Sequence, residues 1–147
     1  MNSHAPKVAL VTGASRGAGK GIALALGAAG MTVYVTGRST TASLGRLKDT
    51  PLPGTILETA AQISALGGTG VAIACDHRDD AAVQAAVERI ATESGRLDIL
   101  VNNAASIHDA LIDPGGFWEK PLELADILDV GLRSAVAAVG AELPARA

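Results

Sequence analysis

The stretch Lys7-Val8-Ala9-Leu10-Val11-Thr12-Gly13-Ala14-Ser15-Arg16-Gly17-Ala18-Gly19 carries most of the information in this chain. Its first half is a short valine-rich apolar run, which predicts a buried strand. A glycine-rich turn follows directly. A helix is then predicted from about Ala18 to Ala29, closed by Gly30. Phosphate binding at such a place needs glycines for three reasons: one makes the tight turn, one lets backbone approach a pyrophosphate, and one lets helix and strand pack closely. The helix start adds unpaired amides and partial positive charge. A glycine pattern alone is a weak signal, but between a strand and a helix of a βαβ unit it is specific. The competing phosphate loop ending in Gly19-Lys20 fails. It requires glycine where Ala14 stands and Ser or Thr where Gly21 stands.

Outward from this turn the pattern repeats. Thr32 to Thr36 reads as a second strand, and Thr55 to Leu66 as a helix with Ile56, Ala60 and Ile63 on one face. Val71 to Cys75 is a third strand. Asp79 or Asp80 can cap the next helix, whose stripe is Val83, Val87 and Ile90 and whose end is Gly95. Leu97 to Val101 is a fourth strand, and Pro121 opens a last helix running to about Glu142. Apolar strands alternating with amphipathic helices predict an α/β fold, a parallel sheet covered on both faces. Residues 39–54 form an inserted loop that is long for a strand-to-helix connection, and such loops are functional or mobile.

Composition narrows the function. The 147 residues suit one domain, and 48% hydrophobic content is enough for a core. A net charge of -3 leaves no basic excess for a phosphate backbone. Tyr34, Phe117 and Trp118 are the only aromatic residues of the Phe, Trp and Tyr class, too few for base stacking, so nucleic acid is excluded as a partner. Met1 to Lys7 lacks the apolar core of a signal peptide, and glycines interrupt both long uncharged stretches, so no membrane span is expected. A single cysteine, Cys75, fits a reducing, cytoplasmic location.

The segment TGASRGAG, with spacing TGxxxGxG, resembles the coenzyme motif of the short-chain dehydrogenases/reductases. Further matches follow in order. Asp76 stands after the third strand, where the family places an acid against adenine. Asn102-Asn103-Ala104-Ala105 resembles its NNAG motif, with Ala105 in place of glycine, and RLDILV precedes it. The GRST and DVGLRS segments resemble the subgroup around dehydrogenase/reductase family member 1. The resemblance covers about residues 7–134 and implies a doubly wound Rossmann-type sheet, here the first four strands in the order 3-2-1-4. It also implies coenzyme contacts from Gly13, Ser15, Arg16, Gly17, Ala18, Gly19, Arg38, Asp76, His77, Asn103, Ala104 and Ala105. For His77 the expected contact is its backbone amide, with the ring at the surface.

An acid some 20 residues past the glycines would select NAD. Gly37 occupies that position, and Arg38 follows it. Guanidinium pairs well with a 2′-phosphate, from Arg38 and also from Arg16, so NADP(H) is expected over NAD(H). Arg46 and Lys48 in the long loop read as solvated charges, with an added contribution to the phosphate site as the alternative.

The family's reaction is hydride transfer between nicotinamide and a carbonyl or alcohol, with a tyrosine acid/base, a lysine four residues on, a serine and a relay asparagine. A phenol titrating near pH ~10 needs such a cation to work at neutral pH. Tyr34 is followed four residues later by Arg38 and lies inside the second strand, so it reads as packing. No Tyr-xxx-Lys pair is present among these residues. The relay asparagine maps onto Asp129, which is either a proton acceptor or an ordinary helix residue. His108-Asp109 lacks a third partner, so no metal or triad is expected. Phe117-Trp118 is expected to cover the start of the last helix, with lining of a substrate pocket as the alternative.

Family members carry seven strands. Residues 1–147 are therefore expected to be a single, partial coenzyme-binding domain, truncated after the fourth strand and inactive alone. Two other readings stand beside it: a non-catalytic nucleotide-binding module completed by a partner chain, and a non-functional remnant. The exposed last helix or the sheet edge is the expected route to a homo-oligomer.

Overall fold

The computed structural model describes residues 5–41 and 43–141. Four parallel strands form the main sheet: β1 (Val8–Val11), β2 (Thr32–Gly37), β5 (Thr69–Ala74) and β6 (Ile99–Val101). Their spatial order is β5-β2-β1-β6, so the expected 3-2-1-4 arrangement is present. Leu10 sits between Tyr34 and Leu100 in the pairing register. The period of two along each strand then sorts side chains onto two faces. Ala9, Val11, Val33 and Val35 pack with Ala23, Ile56, Ala60 and Ile63, which come from helices α1 (Gly17–Ala28) and α2 (Ile56–Ala65). Val8, Leu10, Tyr34 and Ile73 pack with Ala86, Val87 and Ile90 of α3 (Asp80–Ser94). Both faces are covered, which is why the strands carry unbroken apolar runs.

Helix starts follow local chemistry. Thr55 caps α2 in a reciprocal box: its hydroxyl accepts from the Glu58 amide at 3.1 Å, and its own amide donates to Glu58 at 3.0 Å. Asp79 caps α3 through the Ala81 amide at 2.9 Å, and Gly95 ends that helix in the left-handed conformation. Tyr34 is buried in β2, as its position predicts, and its hydroxyl meets Glu93 and Ser94 at 3.0 and 2.9 Å. Burial raises its pKa further above the usual phenol range, with the Glu93 carboxylate adding to the shift and the Ser94 bond opposing it.

Three regions differ from expectation. The loop between β2 and α2 holds a small antiparallel hairpin, β3 (Arg46–Leu47) and β4 (Thr50–Pro51). The last helix is not regular. It begins as a 3₁₀ turn over Leu122–Ala125, passes through α4 (Asp126–Leu128), widens into a π turn at Asp129–Arg133, and continues as α5 (Ser134–Gly140). Ser134 bonds back to the Val130 carbonyl at 2.7 Å, the kind of side-chain competition that bends a helix. Its expected end, Glu142, lies outside the described residues. Finally, Phe117 and Trp118 cover nothing: they are 84% and 75% exposed and touch edge to face. They sit in a short 3₁₀ turn, Phe117–Glu119, that belongs to none of the core clusters. Leu122, Leu128, Leu132, Val136 and Val139 are exposed as well, and β6 is an edge strand.

Candidate functional site: a nucleotide cleft at the strand ends

Sheet order reverses between β1 and β6, and the glycine turn lies at the carboxyl end of β1, beside this switch point. A cleft of about 560 Å³ opens there. Gly13, Ser15 and Arg16 line it from the turn, Gly37 and Arg38 from the end of β2, Asp76 and His77 from the end of β5, and Asn103, Ala104 and Ala105 from the loop after β6. Ten residues singled out from sequence thus meet in one place. Gly17 and Ala18 stand exposed at the head of α1, and Gly19 is buried behind them; these three do not line the cleft.

The corner is built to close tolerances. Gly13 has φ +66°, which disfavours a side chain, and a Cβ there would meet the Ala104 Cα at 2.7 Å. A Cβ on Gly19 would collide with the Asn103 amide and meet the Gly13 carbonyl at 2.7 Å. Thr12, to which sequence reasoning assigned no role, is the hub. Its hydroxyl accepts from the amides of Asn103 and Ala104 at 2.9 and 3.0 Å. The Asn103 side chain donates in turn to the carbonyls of Thr12 and Gly13 at 2.9 and 3.1 Å. Asn103 therefore fixes backbone at this corner, while Asn102 is exposed.

Helix α1 differs from α2 and α3 in one respect. No side chain caps it, and no acid occupies its first turn. Its first amides and positive dipole end are left for an anion. With the glycine cradle, this fits the pyrophosphate of a dinucleotide.

His77 corrects an expectation. Its ring is not at the surface but buried, 6% exposed, and Nε2 meets the Thr36 hydroxyl at 2.8 Å. The residue follows the end of β5, which pairs with the end of β2, and one hydrogen bond offsets part of the burial. Nδ1 is buried without a partner among the described residues. Burial holds the imidazole pKa below its ordinary 6.5; nearby Asp76 opposes this and Arg38 reinforces it. Cys75 is buried at the end of β5, and its thiol is pushed up to about 11 by burial first and by Asp76 and Asp79 second. Such a thiol is inert at neutral pH.

Arg38 is exposed at the cleft and makes no hydrogen bond or ion pair among the described residues. Arg16 is engaged by Ser39, Pro53 and Gly54. Asp129 does not line the cleft; it is exposed and pairs with Arg133 at 3.1 Å, although Val130 beside it does reach the cleft wall. His108 turns its Nδ1 to the Ala110 amide at 3.1 Å, a local cap. Sequence reasoning did not find Ser39, Ser43, Leu44, Gly45, Leu52, Ile107 and Val130 in the lining. The length of the 39–54 loop was the one available signal for five of them.

No cluster of metal-ligating side chains is present among the described residues, and no described helix is long and apolar enough to cross a membrane.

The fold is an α/β domain of the doubly wound, Rossmann-like type. The family model for short chain dehydrogenases matches residues 7–145, and the chain belongs to that family. Mouse dehydrogenase/reductase SDR family member 1 is 41% identical over 131 residues, covering 86% of this chain and 38% of that protein. A short-chain dehydrogenase structure from Mycobacterium thermoresistibile superposes with a TM-score of 0.77 at 32% identity, covering 96% of this chain and 48% of that one. A short-chain dehydrogenase/reductase from Serratia marcescens gives 0.72 at 34%, covering 90% and 48%. The chain thus spans less than half the length of these relatives and corresponds to the N-terminal part of the family fold. The family uses a nicotinamide coenzyme.

Proposed function

We propose that these residues are the NADP(H)-binding portion of an oxidoreductase that transfers hydride between nicotinamide and a carbonyl or alcohol substrate. The observation that carries this reading is the contrast at the end of β2. Gly37 stands where an acid would hold the adenine ribose hydroxyls, and exposed Arg38 follows it at the cleft. A guanidinium there meets a 2′-phosphate with paired, charge-assisted bonds. Gly13 and Ser15 line the pyrophosphate side of the cleft, Gly17 and Ala18 offer it the uncapped head of α1, and buried Gly19 lets Asn103 pack against Gly13; Asp76 and the His77 backbone bound the adenine, and Asn103 to Ala105 support the ribose on the nicotinamide side. The coenzyme supplies the hydride, and the residues above bind and orient it.

The 147 residues hold no Tyr-xxx-Lys pair, and Asp129 stands away from the cleft. The portion described is therefore a binding unit and does not reduce a carbonyl alone. The test is titration with NADPH and NADH, by fluorescence or calorimetry, alongside an assay for carbonyl reduction. Tighter binding of NADPH without turnover is expected; tighter binding of NADH, or turnover by the purified chain, overturns the respective half of the reading.

A second reading concerns assembly. Exposed Leu128, Leu132, Val136 and Val139, together with the edge strand β6, favour burial against further polypeptide, including a second copy of this chain. Light scattering decides it: a monodisperse monomer at micromolar concentration contradicts self-association.

A further inference from the structure

The pairing of β2 with β5 ends where the Cys75 amide donates to the Gly37 carbonyl at 3.1 Å. Arg38 and Asp76 each stand one residue beyond that last bond, and both line the cleft. His77 comes next on the β5 side, and its ring turns back. Nε2 and the Thr36 hydroxyl share a hydrogen bond of 2.8 Å, which reaches a residue inside the paired part of β2. Both partners are buried.

A ring that only filled space here would be better replaced by an apolar side chain. Burying an imidazole with one nitrogen unpartnered is unfavourable, and Nδ1 is in that state among the described residues. What the ring contributes is a directional bond between two strand ends. It anchors to β2 the turn that carries Asp76. Within that turn the Asp76 carboxylate accepts from the Arg78 amide at 3.0 Å, and the Asp76 carbonyl accepts from the Asp79 amide at 3.0 Å. Asp79 then caps α3, so the chain leads away from the cleft directly after His77.

We infer that the His77 side chain is a positioning residue, a latch that holds the Asp76–His77 backbone against β2 through Thr36 and so fixes the adenine wall of the cleft. The part concerning coenzyme rests on the function proposed above. Arg38 leaves β2 directly from its paired end, whereas Asp76 and His77 depend on the latch. The latch therefore bears on adenine, which NADP(H) and NAD(H) share, and not on the choice between them. A packing residue and a latch differ in what can replace them. Leucine restores apolar bulk without the bond, and glutamine can place an amide nitrogen where Nε2 stands.

The experiment compares the wild-type chain with His77→Leu, His77→Gln and Thr36→Val. The ligands are NADPH, NADH and adenosine 2′,5′-bisphosphate, which carries the adenine end without nicotinamide. In His77→Leu and Thr36→Val all three should bind about tenfold more weakly, the effect of losing roughly one net hydrogen bond, with the NADPH to NADH ratio unchanged. His77→Gln should stay within about threefold of wild type. The inverse order, leucine binding as wild type and glutamine weakly, assigns the ring to packing and overturns the inference, as does a loss confined to NADPH. Hydrogen exchange is followed in peptides covering residues 75–79, with α1 peptides as control. It should speed up about tenfold in His77→Leu and Thr36→Val and return toward wild type in His77→Gln. If the wild-type chain binds none of the three ligands, the proposed function fails, while exchange still decides the latch: unchanged exchange in 75–79 rejects it. Thr36→Val removes the bond from the other side and carries the same test should the His77 variants not fold.

Discussion

The two walls of the cleft are held by different forces. The inner wall joins Thr12, Gly13 and Gly19 to Asn103 and Ala104 through backbone-centred bonds and close contacts that admit no side chain. The outer wall is a loop tied by long polar side chains, Arg16 at its feet and Lys48 at its tip. Steric exclusion leaves a signature in residue type, because only glycine fits. A side-chain tether leaves none, since many residues could reach the same carbonyls. The glycines of the inner wall were therefore readable from sequence, whereas its Thr12 hub and the ties of the outer wall were not.

Substitutions separate the two. Gly13→Val should have the largest effect. It places a branched side chain at φ +66° and within 2.7 Å of the Ala104 Cα, a combination of strain and overpacking worth about 3 kcal/mol or more. Thermal or urea unfolding measures it, and a loss below about 1 kcal/mol would show that the inner wall yields. Thr12→Val comes next. It keeps the shape but leaves two amides, those of Asn103 and Ala104, without their acceptor, for a loss of about 1–3 kcal/mol. A neutral result would mean that water replaces the hydroxyl.

The pH dependence of His77 gives a smaller effect with a defined window. Its folded pKa is depressed, so the unfolded chain takes up the proton first. The stability contributed by the neutral ring is complete above pH 6.5 and is lost as pH falls from there through the lowered folded value. The melting temperature of the wild-type chain should drop as pH falls below 6.5, and that of His77→Gln should stay flatter over the same range. Parallel curves would assign the drop to other groups. The smallest effect is expected for Lys48→Ala. Both partners of its ion pair with Asp113 are about half exposed and screened by solvent, so at physiological salt the melting temperature should not move measurably. A clear drop would make the outer wall part of the folding unit, as firmly held as the inner one.

Much of the fold was legible for reasons that extend beyond the glycine turn. The strands of the main sheet announce themselves because both faces are buried, and α2 and α3 because Thr55, Asp79 and Gly95 mark their ends. His77 was misplaced because a histidine after an acid reads as polar surface. Nothing local shows that Thr36, 41 residues earlier, offers it a buried partner. The last helix lost its regularity at Asp129–Arg133. There Asp129 bonds Arg133, and Arg133 also reaches Asp80 and the Arg78 carbonyl across the helix pair. The pull that holds Arg133 against α3 comes from residues more than 50 positions away, which a helical periodicity does not register. Asp129, by its alignment to a motif either a proton acceptor or an ordinary helix residue, bonds Arg133 within this network.

Central to the account is that the cleft binds a coenzyme and that Arg38 chooses it. The most direct measurement is the ratio of NADPH to NADH dissociation constants in the wild-type chain and in Arg38→Ala. The account predicts tighter NADPH binding in the wild type. In the variant the preference should fall by about tenfold or more, as for the loss of a charge-assisted bond, with NADH affinity unchanged. A wild-type chain that binds NADH more tightly, or an Arg38→Ala variant that keeps its NADPH preference, would contradict it.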